Sequence, residues 1–416
     1  MKRASNEGMF YGWWIVLAAF LNLFFAVGII FYGFPVFYPS FVASLGFNRA
    51  QVTQGFLLGF LIVGLPTGLV TGVLIDKIGA RWVIFAGAAL TGIPLMLMGL
   101  MTQFWQYQIL CVLAVIGYVL AGPISNQVLV AQWFRLRRGR AMGLAYLGLG
   151  LGGAVAPPAI NFLVRTCGWR HAIEIVGGCI MAVLFPVAIW MTRSVPAEMG
   201  LNPDGDPGPV VTAEVGSNSV FGIIGDALRQ PNFWLIVVGS SLVIGAMNAV
   251  IQHFIFFLRN AGYGGVSASR YLSLLLVASL GGRVVVGYIA DRFRKKNIMA
   301  LFYFLLGAAI PLLFLAGKPA AAALFTVVFG FSMGADYMLI PLVTAECFGV
   351  SSLGKLLALI IAAYSIGQWA GPWVAGRMFD TFHSYLPAWK LASVAAVIGA
   401  AVIFAIQNRQ AGDPRI

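Results

Sequence analysis

The chain has 416 residues, of which 60% are apolar and only 9% are charged, and its mean hydropathy is +0.91. Soluble domains carry about 25% charged residues, so this composition excludes a soluble protein and predicts one with several membrane-spanning segments. The formal net charge of +13 leaves two explanations to separate, binding of nucleic acid and membrane topology.

Apolar stretches long enough to cross a bilayer recur along the whole chain. A helix needs about 20 apolar residues to cross about 30 Å of hydrocarbon. We place twelve such spans near residues 11–35, 52–75, 82–103, 106–131, 141–164, 171–192, 233–257, 267–290, 298–317, 320–343, 356–378 and 388–407. The first is too long for the apolar core of a signal peptide. The predicted fold class is therefore an all-α membrane protein with twelve transmembrane helices.

The positive charges follow this topology. If both termini are cytoplasmic, 17 of the 26 Lys and Arg residues lie in inner segments and 8 in outer segments. An excess of cations on the cytoplasmic side is what the positive-inside rule requires, so no nucleic-acid partner is expected. We expect a multi-pass protein of the plasma membrane, in a bacterium the inner membrane. The one remaining cation is Arg283, which lies inside a span.

The sequence divides into two related halves. A polar stretch at 193–230 separates six spans from six, which predicts a cytoplasmic linker between helix bundles at 1–192 and 231–416. At an offset of 215 residues, five positions of the first half match the second. The pairs are Gly72 with Gly287, Asp76 with Asp291, Lys77 with Arg292, Arg140 with Lys355, and Pro157 with Pro372. Parallel six-helix repeats are typical of secondary transporters that bind substrate near mid-membrane between the halves.

Two matching segments follow the second and the eighth span, GVLIDKIGAR from Gly72 and GYIADRFRKK from Gly287. A carboxylate at a helix end can accept from neighbouring N–H groups or cations, and a glycine one turn earlier lets helices approach. We interpret these residues, with Arg81, Arg140 and Lys355, as a gating scaffold. The segments resemble the loop signature of the major facilitator superfamily, which implies its twelve-helix fold and rocker-switch transport.

Three further motifs resemble one branch of that superfamily. WFRLRRGRAMG at 133–143 is similar to the motif that opens the fifth span of monocarboxylate transporters, and YGWW at 11–14 is similar to their opening motif, with Tyr11 in place of the usual acidic residue. HFIFFLRNAGY, from His253, resembles the seventh span of the oxalate/formate antiporter group. The resemblance implies a small carboxylate as substrate.

Arg283 is the main candidate for a substrate anchor. It lies 8 residues before Asp291, hence about 12 Å deep, where an arginine costs at least about 3 kcal/mol unless it faces a cavity or a partner. Snorkelling is the alternative. Its repeat counterpart is Gly68, so it is not part of the duplicated scaffold. Its planar fork matches a carboxylate, and in monocarboxylate transporters, which this chain resembles, an eighth-span arginine binds the substrate carboxylate.

Asp336 is the other full charge well inside a span. It lies 10 residues before Glu346, about 15 Å deep, and its repeat counterpart is Ala121. A similar depth predicts an ion pair with Arg283, in which Asp336 acts either as a proton switch or as a structural neutraliser. The family often carries an aspartate at the position of Ser279 and a lysine in the first span, and this chain has neither.

Polar side chains at mid-span are further candidates for contacts with the substrate. They are Tyr32, Tyr118, Asn126, Tyr146, His253, Tyr337 and Tyr364. Each can donate to a carboxylate or pack and bond a backbone carbonyl. Oxalate transporters hold a second carboxylate with an eleventh-span lysine, but Lys355 is the repeat partner of Arg140 at the mouth of its helix and is interpreted as an interface anchor.

These residues predict a proton-coupled transporter of a small monocarboxylate such as lactate or pyruvate. The expected partners are the carboxylate, protons and the lipid bilayer, and a single chain is expected to suffice. Exchange of oxalate or another dicarboxylate and a non-transporting membrane receptor stay open as alternatives. The three histidines form no recognisable catalytic or metal-binding set, so neither enzymatic activity nor a cofactor is expected.

Overall fold

A computed structural model describes residues 10–48, 51–52, 54–55, 59, 65–207, 225–350 and 353–407. Their regular structure is helical throughout, and ten stretches are long and apolar enough to cross a membrane. One of these, Arg138–Met191, contains two predicted spans. Gly168, with a φ of 77°, interrupts the helix between them. The second predicted span is described only from residue 65 onward, and the rest of it lies outside the described residues.

Residues Met1–Val215 form one compact unit. Its first span combines the α-helix Gly12–Asn22, the π-helical segment Leu23–Gly33, the 3-10 turn Phe34–Phe37 and the α-helix Tyr38–Leu45. The remaining helices are Leu65–Ile78 in the second span, Ala80–Met98 in the third, Phe104–Ala121 and Pro123–Trp133 in the fourth, and Arg138–Pro186 in the fifth and sixth, which the π-helical segment Val187–Met191 extends.

Two kinds of packing hold this first unit together. Aromatic rings fill one end, where Phe41 makes edge contacts with Tyr107 and Trp169. The first and fifth spans meet at glycines, since a Cβ placed on Gly28 would lie 2.6 Å from the Cα of Gly152. Small residues at helix contacts let backbones approach in the way that lipid-embedded helices require.

Residues Gly216–Ile416 form a second compact unit. Its helices are Pro231–Asn260 in the seventh span, Gly265–Ala290 in the eighth, Lys295–Ala309 and the 3-10 turn Ile310–Leu315 in the ninth, Pro319–Met333 and Asp336–Phe348 in the tenth, Leu353–Phe382 in the eleventh and Leu386–Phe404 in the twelfth. Glycines again mark close contacts, for example Gly371 of the eleventh span against the backbone of Gly245 in the seventh.

The tenth span is broken where the sequence predicts a single helix. The helix ends at Met333, the amide of Ala335 bonds the carbonyl of Ser332 at 3.2 Å in a tighter turn, and a second helix starts at Asp336. The first N–H groups of a helix lack intrahelical partners and carry a partial positive charge. The break therefore places the carboxylate of Asp336 at a helix N-terminus.

The described part of the predicted linker folds onto the first unit. The Asp204 carboxylate accepts three backbone N–H bonds from the connection between the fourth and fifth spans. The donors are Arg135 and Leu136, both at 2.7 Å, and Arg137 at 3.2 Å. Residues 208–224 lie outside the described residues. The first part of the linker is thus hydrogen-bonded to the connection between the fourth and fifth spans.

Candidate substrate and proton site

Arg283 is buried where the eighth and tenth spans touch. Its side chain is only 5% exposed. A Cβ on Gly282, Gly330 or Gly334 would collide with the backbone of the facing helix, and a Cβ on Gly334 would also lie 3.1 Å from the backbone nitrogen of Arg283. The two helices are therefore in backbone contact around this arginine, which holds its Cα in a fixed position.

Asp336 is buried nearby on the tenth span. Its side chain is 1% exposed, and Oδ1 accepts a 2.5 Å hydrogen bond from the hydroxyl of Tyr303 in the ninth span. The same hydroxyl lies 3.4 Å from Oγ of Ser240 in the seventh span. Oδ2 of Asp336 is buried without a hydrogen-bond partner. One carboxyl oxygen is thus hydrogen-bonded and the other is not.

The hydrogen bond that the structure shows for Asp336 comes from the ninth span, and the pairing of Asp336 with Arg283 stays a prediction. Oδ1 of Asp336 accepts from Tyr303, and Oδ2 has no hydrogen-bond partner. The two charges remain on adjoining helices.

Three other candidates lie in the second unit. Tyr364, 6% exposed, has an electrostatic interaction with Tyr303. Tyr337 is half-buried beside Asp336. Lys355 is buried, but it is the third residue of the helix Leu353–Phe382. It lies near a helix end, and its role as an interface anchor stays a prediction.

His253 is held by two hydrogen bonds. Nε2 lies 3.1 Å from the carbonyl of Pro372 and Nδ1 lies 3.1 Å from the hydroxyl of Tyr385. A carbonyl can only accept, so Nε2 carries a proton, and Nδ1 shares a hydrogen bond with the phenol. Burial and then the charge of Asp380 raise the pKa of Tyr385, which keeps that phenol protonated. These contacts make His253 a brace between the seventh and eleventh spans.

Asn126 is a structural residue in the first unit. Its Nδ2 donates to the carbonyls of Ala121 at 2.7 Å and Gly122 at 2.8 Å, and its Oδ1 accepts from Nδ2 of Asn22 at 3.1 Å. These carbonyls lie at the break in the fourth span, just before Pro123, where the ending helix leaves acceptors unpaired. Asn126 thus caps a helix end and links the fourth span to the first.

The three tyrosines proposed in the first unit have different settings. Tyr146 is 1% exposed and accepts a hydrogen bond from the amide of Gln127. Tyr32 is 37% exposed, and its ring lies over Gly153, where a Cβ would come within 2.8 Å. Tyr118 is half-buried and has an electrostatic interaction with Tyr32. Tyr32 and Tyr118 are therefore neighbours, while Tyr146 is bonded to Gln127.

The proposed scaffold residues of the first half lie at helix ends. Arg81 donates from Nε to the carbonyl of Ala188 at 3.1 Å and from Nη2 to that of Ile189 at 2.5 Å. It therefore caps the end of the sixth span from the start of the third, where a cation also meets the negative end of the helix dipole. Gly72 is buried, and Asp76 is half-buried in the last turn of its helix.

The other scaffold residues occupy similar places. Lys77 and Arg292 are exposed, Gly287 is buried, Asp291 directly follows the helix Gly265–Ala290, and Arg140 is half-buried in the first turn of the fifth span. The matched residues of the two halves thus stand at corresponding helix ends. Their role in gating stays a prediction.

The structure adds polar residues that the sequence does not single out, namely Tyr303, Ser240, Asn22 and Gln127. Each lies within a span and is buried or nearly so. In the sequence, these residues differ from their neighbours only by having a hydroxyl or amide inside an apolar stretch. Dozens of positions have this feature. Only the packing of the helices identifies the hydroxyl that meets Asp336.

Comparisons with known proteins agree with this fold. Residues 19–341 match the family model of the Major Facilitator Superfamily. Monocarboxylate transporter 13 of Bos taurus is 25% identical over 411 residues, covering 98% of this chain and 92% of the relative. Monocarboxylate transporter 13 of Rattus norvegicus is 23% identical over 403 residues, covering 96% of this chain and 89% of the relative.

A solved structure has the same architecture. The E. coli fucose:proton symporter FucP superposes with a TM-score of 0.74 at 14% identity, covering 95% of this chain and 98% of FucP. At this identity the likeness establishes the fold alone. The family model, however, spans most of the chain, and the described helices fit it. The chain belongs to the major facilitator superfamily, a family of membrane transporters.

Proposed function

We propose that this transporter carries a small monocarboxylate of the lactate or pyruvate type together with a proton. The observation that carries the proposal is a pair of opposite charges buried on adjoining helices, Arg283 at 5% exposure and Asp336 at 1%. Ionisable residues inside the membrane are costly and mark substrate or ion pathways. The relatedness to monocarboxylate transporter 13 of Bos taurus supports the substrate class.

Arg283 is the proposed anchor for the carboxylate. A guanidinium stays charged at accessible pH and can hold both oxygens of one carboxylate. Lys355 is the third residue of its helix, whereas Arg283 lies about 12 Å from the end of its own. The two cations therefore sit at different depths, and the site suits one carboxylate better than two.

Charge balance links the proton to the substrate. The empty site holds a guanidinium and a carboxylate and is neutral. Binding of the substrate anion alone makes it negative, and adding a proton to Asp336 restores neutrality. A net charge in a dry apolar region is costly, so conformational exchange is favoured for the empty and the doubly loaded protein.

A thermal-shift screen of C2 to C4 mono- and dicarboxylates tests the substrate class. We expect monocarboxylates to raise the melting temperature of the purified protein. The melting temperature of Arg283→Gln should not change when they are added. Stabilisation by dicarboxylates alone, with counterflow that ignores pH, would indicate an anion exchanger instead. Stabilisation without any flux in proteoliposomes would indicate a receptor.

A further inference from the structure

Three buried polar side chains form a chain through three spans of the second unit. Ser240 of the seventh span is 0% exposed, and Tyr303 of the ninth and Asp336 of the tenth are each 1% exposed. The phenol oxygen lies 3.4 Å from Oγ of Ser240 and 2.5 Å from Oδ1 of Asp336. Buried hydrogen bonds of this kind are costly to leave incomplete.

A count of protons fixes the direction of these bonds. The Tyr303 phenol has one proton, and the 2.5 Å contact to the carboxyl oxygen of Asp336 is the one that uses it. In the longer contact, the hydroxyl of Ser240 is then the donor. Tyr303 therefore stabilises the ionised form of Asp336, and Oδ2, which has no hydrogen-bond partner, is the oxygen that remains for a proton.

The surroundings of Asp336 contain few other charges. The helix Asp336–Phe348 packs against the seventh, eighth, ninth and eleventh spans. The buried titratable side chains of these spans are Arg283 in the eighth, Tyr303 in the ninth, and Tyr364 and Lys355 in the eleventh, while the seventh contributes the neutral Ser240. The positive helix N-terminus also favours the ionised carboxylate. Several groups thus act against burial, which favours the neutral acid.

We infer that Tyr303 is a positioning residue that holds Oδ1 of Asp336, so that the coupled proton binds at Oδ2. The inference rests on the proposed proton coupling and names the atom and the residue that tune it. An O–H bond forms at Oδ2 when a proton arrives from bulk water and breaks when the proton returns to water. The Tyr303 bond persists through both steps, and the ninth and tenth spans stay joined while the charge changes.

The pH profile of lactate uptake into proteoliposomes tests this role. Uptake requires protonated Asp336 and falls as pH rises. Tyr303→Phe removes a donor to the ionised form, so protonation persists to higher pH, and we expect the half-maximal pH to rise by about one unit. The matched control is Tyr263→Phe, which removes a 2.7 Å bond to the carbonyl of Ala316 and an interaction with Tyr271 and should keep the wild-type profile.

Ser240→Ala is a second, milder variant. It weakens the phenol as a donor because it removes the hydroxyl that donates to the phenol oxygen, so a smaller shift in the same direction is expected. A wild-type profile in folded Tyr303→Phe overturns the inference and leaves the proposed function standing. If that variant does not fold, an unshifted Ser240→Ala overturns it. Wild-type uptake that is independent of pH overturns both proposals.

Discussion

The two halves of this transporter place different chemistry in their interiors. In the described residues, the buried charged side chains are Arg283, Asp336 and Lys355, all in the second unit. The first unit buries neutral amides instead, such as Asn22 and Asn126. These amides cap helix ends and join spans. Among the described residues, the buried charges thus lie in the second unit, while these buried amides of the first unit make structural hydrogen bonds.

The repeat offset makes the same point. Positions 215 residues before Arg283, Tyr303 and Asp336 are Gly68, Ala88 and Ala121. None of these can donate or accept through a side chain. We therefore propose that transport depends on the residues that break the repeat, and the tests below separate ionic roles from structural ones.

The largest effect is expected at Arg283. Arg283→Gln keeps a hydrogen-bonding amide but removes the charge, and losing a charged bidentate contact of about 3 kcal/mol lowers uptake of labelled lactate by about 100-fold. Arg270→Gln, an exposed cation near the start of the same span, is the control and should keep wild-type uptake. Normal transport by Arg283→Gln would show that Arg283 does not anchor the substrate.

Asp336→Asn should separate substrate movement from the proton. The amide is neutral like the protonated acid, so the loaded site stays neutral without a proton. We expect lactate counterflow to continue while an inward proton gradient no longer stimulates net uptake. Stimulation equal to that of the wild type would show that the coupled proton binds elsewhere.

Asn126→Ala tests the structural half of the comparison. Removing the amide leaves the carbonyls of Ala121 and Gly122 without their side-chain donor, which should lower the free energy of unfolding by about 2 kcal/mol. Thermal unfolding in detergent measures this loss. Thr326→Val is the control, because that hydroxyl bonds only a carbonyl of its own helix. A changed pH profile of uptake in Asn126→Ala would contradict a purely structural role.

The smallest effect is expected at His253. Glutamine at this position keeps one donor for the carbonyl of Pro372 and one acceptor for the hydroxyl of Tyr385. Uptake by His253→Gln should stay within about twofold of the wild type, with the same pH dependence. A loss as large as that of Arg283→Gln would place His253 in the transport site.

Much of the architecture follows from sequence patterns, because apolar length fixes helical spans and two embedded charges stand out against an apolar background. Depth along a helix can be counted from its end, so Arg283 and Asp336 are found as buried residues. The direction in which a side chain points around the helix cannot be counted in this way. Only the packing of the helices shows that Oδ1 of Asp336 meets the hydroxyl of Tyr303 in the ninth span. Asn126 was similarly visible as a polar residue, but its two carbonyl acceptors depend on the break before Pro123.

Coupled movement of one carboxylate and one proton can be tested by measuring lactate uptake and internal pH in the same proteoliposomes, with the membrane potential clamped. We expect one proton per lactate, no net current, and loss of both fluxes in Arg283→Gln. Lactate entry that carries a negative current and leaves internal pH unchanged would contradict it.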